Sequence, residues 1–154
     1  MHSQKIDNMN KYQIAYNYIK KVNKCKGIKA SGSVIDLDRW VFPIDSLKDY
    51  PKEKEMLEAT IKRKQSVRDD SFYSKEITAL TPKSKKINTI IYFSPVEDDM
   101  LVVCLCPFDK RRHKITDIDN FDVICRFTTS KYFLFIFDEY NNIKKLLTVD
   151  VNIE

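Results

Sequence analysis

Four side chains in the second half of this 154-residue chain have the chemistry of zinc ligands: Cys104, Cys106, His113 and Cys125. Structural zinc sites usually take ligand pairs two to four residues apart on tight turns. Cys104 and Cys106 instead flank one residue of an apolar run, and no second pair follows them. We therefore interpret these cysteines, together with Cys25, as buried reduced thiols of the core rather than as metal ligands or a disulfide framework.

Catalytic chemistry has few candidate residues in this sequence. His2 lies next to the terminus, and His113 stands among cations that oppose its protonation, with no obvious residue to orient it. A metal-dependent nuclease would need several carboxylates to converge on one ion. The available carboxylates have no recognisable spacing: Asp36, Asp38, Asp69, Asp70 and Glu76. We expect no catalytic, cofactor-binding or metal-binding residues, and we favour a non-enzymatic role.

Gly27 and Gly32, the only two glycines of the chain, have the spacing of a phosphate-binding loop. A working loop of that kind continues with Lys and then Ser or Thr, and it opens a helix. Here Ser33 and Val34 follow the second glycine and lead into an apolar run. The lysine that would neutralise the phosphates is missing, so we expect no nucleotide cofactor.

Charged residues are unevenly distributed along the chain, although the formal net charge is only +5. Seven lysines and one aspartate occur in residues 1–29, whereas eight basic and eleven acidic residues occur in residues 94–154. Such polarity can steer a charged partner. We expect the partner-binding residues to be Lys110, Arg111, Arg112 and Lys114 in a basic run and Glu97, Asp98 and Asp99 in an acidic turn.

Two segments have the periodicity or the charge order of helices. Residues Asn10–Lys24 contain five apolar side chains that lie on one helical face, because each has another three or four residues away: Tyr12, Ala15, Tyr16, Ile19 and Val22. Residues Pro51–Lys64 begin with proline, have glutamates early and have lysine and arginine late. That order matches the helix macrodipole. Both helices should present one apolar face to a sheet.

The last third of the chain contains five short apolar runs, too close together for crossover helices between them. We predict strands near Asn88–Phe93, Met100–Cys106, Phe121–Phe127, Tyr132–Phe137 and Ile143–Val151. Upstream, Ile28–Phe42 should form two strands broken near Asp36–Asp38 and ended by Pro43, with Trp40 as an inward anchor. A short strand at Glu76–Leu80 is an open alternative.

These elements predict a single α+β domain over residues 1–154, an antiparallel meander of about five to seven strands with two helices packed on it. Met100–Cys106 and Tyr132–Phe137 are apolar at nearly every position and should be central strands covered on both faces. The helices would cover one face, and either the curl of the sheet or a partner subunit would cover the other. We expect residues 1–9 to be flexible and residues 65–86 to form a partly irregular connection.

Composition is typical of a globular protein, because 43% hydrophobic and 12% aromatic residues support a packed interior and 32% charged residues support a polar surface. No run reaches the roughly 18 apolar residues of a membrane-spanning helix. Residues 1–10 are polar and lack the apolar segment of a secretory signal. We therefore expect a cytoplasmic protein that does not associate with membranes.

No motif assigns the chain to a family. Its small size, its α+β organisation, its lack of catalytic motifs and its content of lysine, isoleucine and asparagine resemble small bacterial and phage inhibitors, including toxin-neutralising immunity proteins and anti-defence factors. The resemblance implies a non-enzymatic protein that binds one specific protein partner and blocks it sterically. The alternative is a nucleic-acid-associated protein or nuclease that uses the basic N-terminal helix and Lys83–Lys86. A small-ligand pocket lined by Trp40 and tyrosines is a third interpretation.

Overall fold

A computed structural model describes residues 2–24, 27–64, 71–81, 83 and 86–153, and the side chains of these residues except 2–7 and 64. The described helices are α1 (His2–Asn23), α2 (Pro51–Lys64), α3 (Lys75–Thr78) and α4 (Phe121–Cys125). The described strands are β1 (Ile28–Ala30), β2 (Ser33–Val34), β3 (Phe72–Tyr73), β4 (Thr89–Phe93), β5 (Met100–Pro107), β6 (Thr128–Phe137) and β7 (Ile143–Ile153). Short 3-10 turns cover Ile44–Leu47 and Ile115–Asp117.

The main sheet has five strands in the order β1-β4-β5-β6-β7, and β2 pairs with β3 in a separate small sheet. Strands β4 to β7 are antiparallel neighbours, as predicted for most of the consecutive apolar runs. β1 instead lies parallel to β4 at the edge of the sheet. The fold is therefore α+β with a mixed, mostly antiparallel sheet, and the prediction of a pure meander is wrong. A parallel neighbour needs a long crossover, and the chain that contains α2 and α3 supplies it.

Two segments predicted as strands are short helices instead. The segment Phe121–Phe127 contains α4, which begins after Asn120, and the segment Glu76–Leu80 overlaps α3, which begins after Ser74. In each case the capping side-chain oxygen accepts a hydrogen bond from the backbone N–H three residues later, at 3.3 Å. Periodicity alone does not distinguish a short buried helix from a strand, so the cap residue decides the structure here.

The segment Ile28–Phe42 forms strands only at β1 and β2. The prediction of a second long strand is wrong, because residues 39–42 form a turn. Trp40 is 67% exposed in that turn, so it is not the inward anchor that we expected. Phe42 takes that position, with its ring packed edge-on against Tyr132 in the core.

Helices cover both faces of the main sheet. α1 packs four residues of its predicted apolar face against β4, β5 and β6, with Tyr12, Ala15, Tyr16 and Ile19 buried, whereas the fifth, Val22, is 47% exposed. α2, the segment of residues 35–47 and α4 cover the opposite face. Both faces of β5 are therefore buried, as predicted for a central strand. The second cover is part of the same chain rather than the curl of the sheet or a partner subunit.

The two ends of the sheet carry different connections. The loop end holds the start of β4, the end of β5, the start of β6 and the end of β7. The turn end holds the hairpin turns Glu97–Met100 and Asp138–Asn142. α1 runs from the turn end, where the Tyr12 hydroxyl donates to the Ser94 carbonyl, to the loop end at Asn23. The predicted basic run and acidic turn therefore lie at opposite ends of the sheet.

Candidate functional site

The basic run lies in the excursion of residues 108–127, which leaves β5 at the loop end and returns to β6 through α4. We call residues Lys110–Lys114 the basic loop. His113 is buried, with 7% of its surface exposed. The other four side chains of the basic loop are exposed: Lys110, Arg111, Arg112 and Lys114. No described residue forms an ion pair with any of these four cations.

His113 fixes the basic loop from the inside. Its Nδ1 accepts a hydrogen bond from the backbone N–H of Asp109 at 3.0 Å, and its own backbone N–H donates to the Asp109 carbonyl at 2.7 Å. The Asp109 carboxylate accepts a hydrogen bond from the backbone N–H of Arg111 at 3.0 Å. The imidazole also packs on Phe108, with ring centroids 5.6 Å apart. The sequence showed no residue to orient His113, and the structure shows that the Asp109 backbone does so.

Two further contacts attach the excursion to the sheet. The buried Tyr92 hydroxyl donates to the Ile118 carbonyl at 2.6 Å. The Asp119 carboxylate accepts hydrogen bonds from the Ser31 hydroxyl at 2.8 Å and from the Gly32 backbone N–H at 3.1 Å. The excursion is therefore fixed near both the β4 strand and the β1 edge.

The glycine pair with the spacing of a phosphate loop has a packing role. A Cβ atom on Gly32 would lie 2.7 Å from a ring carbon of Tyr73 and 2.9 Å from the Ser74 carbonyl oxygen. A Cβ atom on Gly27 would lie 2.7 Å from the Lys86 carbonyl oxygen. Both positions require glycine because another segment of backbone passes too close for a side chain. The anionic group bound at Gly32 is a carboxylate of the same chain.

Three large apolar side chains are exposed on the same excursion: Ile115 at 65%, Val123 at 43% and Phe127 at 65%. Phe127 has a φ of 60°, a left-handed conformation that is unusual for a bulky residue. It follows α4, where that conformation commonly ends a helix. The Arg126 guanidinium lies 5.0 Å from the centroid of its ring. Exposed apolar side chains bordered by cations are common in protein interfaces.

The predicted acidic turn is a two-residue hairpin turn. Asp98 and Asp99 have φ values of 52° and 58°. Glu97 and Met100 exchange two backbone hydrogen bonds, of 3.1 and 2.8 Å. This geometry is that of a type I′ turn, in which both central residues are left-handed and aspartate is well tolerated. The prediction of a hairpin turn at Glu97–Asp99 is confirmed.

The charges of the acidic turn are mostly paired within the chain. The Arg63 guanidinium donates to the Glu97 carboxylate, and the Lys11 ammonium lies 3.6 Å from the Asp99 carboxylate. The Lys11 side chain is only 7% exposed, so this second pair is partly shielded from solvent. Asp98 has no ion pair among the residues that the structure describes.

Arg39 adds a buried cation near the same turn. It is 4% exposed, and burial lowers its pKa, an effect that the negative charges of Glu97, Asp36 and Asp98 oppose. Its Nη1 has no hydrogen-bond partner among the described residues. The turn end therefore brings charges of both signs close together inside the chain.

Three cysteines meet in the core beneath the excursion. Cys106 and Cys125 form a disulfide bond, and the Cys104 sulfur lies 3.5 Å from the Cys106 sulfur. We call these three residues the sulfur cluster. In this oxidised structure Cys106 and Cys125 are therefore not the separate reduced thiols that we expected from the sequence. The reason is that Phe121–Phe127 forms a helix rather than a strand and places Cys125 over β5. Cys25 lies outside the described residues.

Hydroxyl groups border the sulfur cluster. The Ser130 hydroxyl lies 3.3 Å from the Cys106 sulfur. Burial raises the pKa of Cys104 to about 12, although the hydroxyls of Ser130 and Tyr132 oppose this shift by hydrogen bonding to the sulfur. A thiol with so high a pKa is a poor nucleophile at neutral pH. In the described parts of the chain, this is the only group of three or more His, Cys, Asp or Glu side chains close enough to share one ion, although the disulfide joins two of its sulfurs.

The residues of the nucleic-acid interpretation lie partly at the loop end. Lys20, Lys21 and Lys24 are exposed at the C-terminal end of α1. An open concavity of about 400 Å³ lies beside this helix end, lined by Asn23, Lys131 and other residues of the sheet. Of the proposed group Lys83–Lys86, Lys83 and Lys86 are exposed and Lys85 lies outside the described residues. Asp69 and Asp70, the candidate nuclease carboxylates, lie outside them as well.

Comparison with known proteins gives no family for the chain: no protein-family model, curated protein or solved structure matches it. None of the helices in the described part combines the length and the apolar character that crossing a membrane requires.

Proposed function

We propose that the protein binds one specific acidic protein through the excursion of residues 108–127 and blocks that partner sterically, without enzymatic activity. The observation that carries the proposal is the basic loop, which presents four exposed cations with no ion pair among the described residues. The backbone beneath these cations is fixed by His113, Tyr92 and Asp119. A fixed loop loses little conformational entropy on binding, so more of its contact energy contributes to affinity.

Charge pairing favours the basic loop over the acidic turn as the contact surface. Glu97 and Asp99 already pair with Arg63 and Lys11, so a cationic partner would have to displace those pairs. The cations of the basic loop have no such competitor in the described structure. Exposed charges of this kind mainly raise the association rate and make it depend on salt.

Exposed apolar side chains on the excursion supply anchors that the charges do not. Ile115 follows the basic loop directly, and Phe127 ends the excursion, each with 65% of its surface exposed. Truncation of a large anchor at the centre of an interface usually costs more binding free energy than removal of a charge at its rim. We expect Phe127 and Ile115 to become buried in the complex, with the cations around them.

We propose the cytoplasm as the place of action, and this location bears on the sulfur cluster. Disulfide bonds persist mainly in oxidising compartments. In a reducing cytoplasm the bond between Cys106 and Cys125 would open. The excursion would then depend on the contacts made by Asp109, Tyr92 and Asp119.

One observation favours a second candidate function, association with nucleic acid. Lys20, Lys21 and Lys24 add three exposed cations to those of the basic loop at the same end of the sheet. Contacts with phosphates would make affinity fall steeply with rising salt concentration. However, two of the three exposed apolar side chains on the excursion are aliphatic, whereas single-stranded nucleic acid is bound by stacking on aromatic rings. We therefore rank the protein partner first.

Two triple variants with the same change in net charge separate these candidates. The loop variant carries Lys110→Glu, Arg111→Glu and Arg112→Glu, and the helix variant carries Lys20→Glu, Lys21→Glu and Lys24→Glu. Each full-length protein is immobilised, and binding from an extract of the native host is measured at low and high salt, with and without nuclease treatment. We expect the wild type and the helix variant to retain one protein in equal amounts. The amount that the loop variant retains should be lower by about tenfold or more.

The other outcomes have different consequences. Retention that nuclease abolishes, or retention that only the helix variant loses, would support the nucleic-acid candidate instead. Equal retention of a protein by all three forms, or no retention at all, would contradict the proposed interface. Urea unfolding of both variants shows whether each is folded before binding is compared.

A further inference from the structure

The sulfurs of Cys104 and Cys106 already lie at about the separation of two metal ligands, whereas the sulfur of Cys125 is bonded to Cys106 and would move away from it on reduction. The three sulfur atoms of the sulfur cluster lie within 4.8 Å of one another, and those of Cys104 and Cys106 are 3.5 Å apart. Thiolate ligands of a tetrahedral zinc ion, each about 2.3 Å from the metal, are roughly 3.8 Å from one another. We propose that Cys104, Cys106 and Cys125, in the reduced protein, bind one thiophilic d10 cation, zinc(II) or copper(I).

The elements that carry the three sulfurs are rigid. Cys104 and Cys106 point to the same face of β5, because side chains two apart on a strand share a face. β5 is hydrogen-bonded on both sides, to β4 and β6. Cys125 lies in α4, which packs on that face, and all three side chains are fully buried. Ligands on regular elements hold their geometry more closely than ligands on loops.

The side chains around the cluster suit bound thiolates. The Ser130 hydroxyl lies 3.3 Å from the Cys106 sulfur, and the hydroxyls of Ser130 and Tyr132 oppose the rise in the pKa of Cys104 that burial causes. Such outer contacts orient ligands and stabilise their charge. His113, the fourth zinc ligand considered from the sequence, bonds instead to the Asp109 backbone. The described ligand set is therefore three sulfurs with hydroxyl donors beside them.

The disulfide and the cation are alternative states of the same sulfurs. A dithiol reductant transfers two electrons and two protons to the bond between Cys106 and Cys125 and gives two thiols. Binding of the cation then displaces the three thiol protons to solvent and leaves three thiolates. Soft thiolates select zinc and copper(I), and the cation offsets the burial that otherwise keeps these thiols protonated. Zinc leaves a net charge of one negative unit in the core, against two for copper(I), so charge favours zinc, whereas a set of three sulfurs without a fourth described ligand favours copper(I).

The proposed site also has a consequence for the excursion. Cys106 and Cys125 are 19 residues apart and enclose nearly the whole excursion. A cation bound by both residues would join its two ends in a reducing compartment, as the disulfide does in the oxidised protein. The site does not depend on the proposed partner, because it is defined by the sulfurs alone.

The test uses the full-length protein, reduced with a non-thiol phosphine under argon. Zinc and, separately, copper(I) are titrated against a chromophoric chelator, and cobalt(II) is added to detect the thiolate-to-metal absorption band. We expect one cation per chain and a cobalt band from the wild type. Cys104→Ser leaves Cys106 and Cys125 in place, and its loss of a ligand should weaken zinc binding by at least about 100-fold.

A second measurement keeps the test informative if Cys104→Ser does not fold. Alkylation of the reduced wild type, followed by mass spectrometry, should show that zinc slows modification of Cys104, Cys106 and Cys125. Equal zinc affinity of the folded wild type and Cys104→Ser would indicate an adventitious ion only and would overturn the proposal. Absence of a one-to-one complex, or no protection of the three thiols, would overturn it as well. None of these readouts depends on partner binding.

Discussion

At the turn end of the sheet, charged side chains pair with one another and hold the chain in place. At the loop end, hydrogen bonds to the backbone hold the chain, and the cations are left exposed. Glu97 and Asp99 pair with Arg63 and Lys11 at the turn end. At the loop end His113 holds the chain in place through hydrogen bonds with the Asp109 backbone. The four exposed cations of the basic loop take no part in these bonds. Charges already paired inside a chain are poorly available to a partner, so the proposed interface uses the cations that have no ion pair among the described residues.

We predict that the stability of the loop end depends on the disulfide between Cys106 and Cys125, whereas the stability of the turn end does not. In the oxidised protein, Cys125→Ser removes the disulfide that closes a loop between residues 19 apart. The chain-entropy model gives a loss of about 3 kcal/mol in the free energy of unfolding for such a loop. Urea unfolding measures this loss. Hydrogen exchange should speed up in residues 108–127 and stay unchanged at Glu97–Met100.

Cys104→Ser is the matched control for that experiment. It replaces a buried sulfur next to the disulfide but leaves the bond itself in place, together with the contact between Cys106 and Ser130. We expect a loss below about 1 kcal/mol in the oxidised protein, because one weak hydrogen-bonding group replaces another. If both variants lose the same stability, or if Cys125→Ser speeds up exchange at both ends alike, the disulfide does not act locally on the excursion.

Two buried tyrosines give a second comparison of the ends. The Tyr92 hydroxyl donates to the Ile118 carbonyl of the excursion at 2.6 Å, and the Tyr12 hydroxyl donates to the Ser94 carbonyl near the turn end at 2.9 Å. Burial raises the pKa of both phenols, so both are protonated donors at neutral pH. Tyr92→Phe and Tyr12→Phe should each lose about 1–2 kcal/mol, because each leaves a carbonyl without its donor.

The local effects of these two variants should differ. Tyr92→Phe should speed up hydrogen exchange in residues 108–120 and, under the proposed function, weaken partner binding by making the basic loop less ordered. Tyr12→Phe should speed up exchange near residues 94–99 and leave partner binding unchanged. Equal effects of the two variants on binding would show that global stability, and not the order of the excursion, controls the interface.

Short-range patterns in the sequence predicted the parts of the fold that depend on neighbouring residues. The periodicity of α1, the charge order of α2 and the apolar runs of β4 to β7 were sufficient, because local spacing decides which face is apolar. The hairpin at Glu97–Asp99 was also predictable, since adjacent aspartates between apolar runs favour a turn. The exposure of the basic loop followed from its position between two strongly apolar segments.

Features that depend on distant residues could not be predicted in this way. β1 pairs with β4 only because the intervening chain forms a crossover, and no local pattern encodes that pairing. Cys125 lies next to Cys106 because Phe121–Cys125 forms the helix α4. The hydrophobic pattern of a segment of only five residues is compatible with both a helix and a strand, so it could not predict this contact. Residue types do not identify the partner that orients His113, because that partner is the backbone of Asp109. A backbone group cannot be recognised from residue types.

The smallest expected effect concerns acid, and it arises from an ion pair at the turn end. The Lys144 ammonium hydrogen-bonds to the Glu53 carboxylate and lowers the pKa of that carboxyl. A lowered folded-state pKa means that the unfolded chain takes up a proton at higher pH. The stabilisation is therefore complete above the ordinary glutamate value, about 4.3, and is lost as the pH falls through the lowered pKa. Because the Lys144 side chain is 42% exposed, solvent screens the pair and the effect should be the smallest of those predicted here.

Glu53→Gln tests this directly, with Glu55→Gln on the exposed side of the same helix as the control. The difference in unfolding free energy between the wild type and Glu53→Gln should be largest near pH 7 and should shrink toward zero near pH 3, whereas Glu55→Gln should stay close to the wild type throughout. A difference that grows with acid would reverse the assigned sign. A constant difference would mean that Glu53 stabilises α2 by packing rather than by charge. In that case the turn end would not be held by paired charges at this position, and the contrast with the loop end would rest on Glu97 and Asp99 alone.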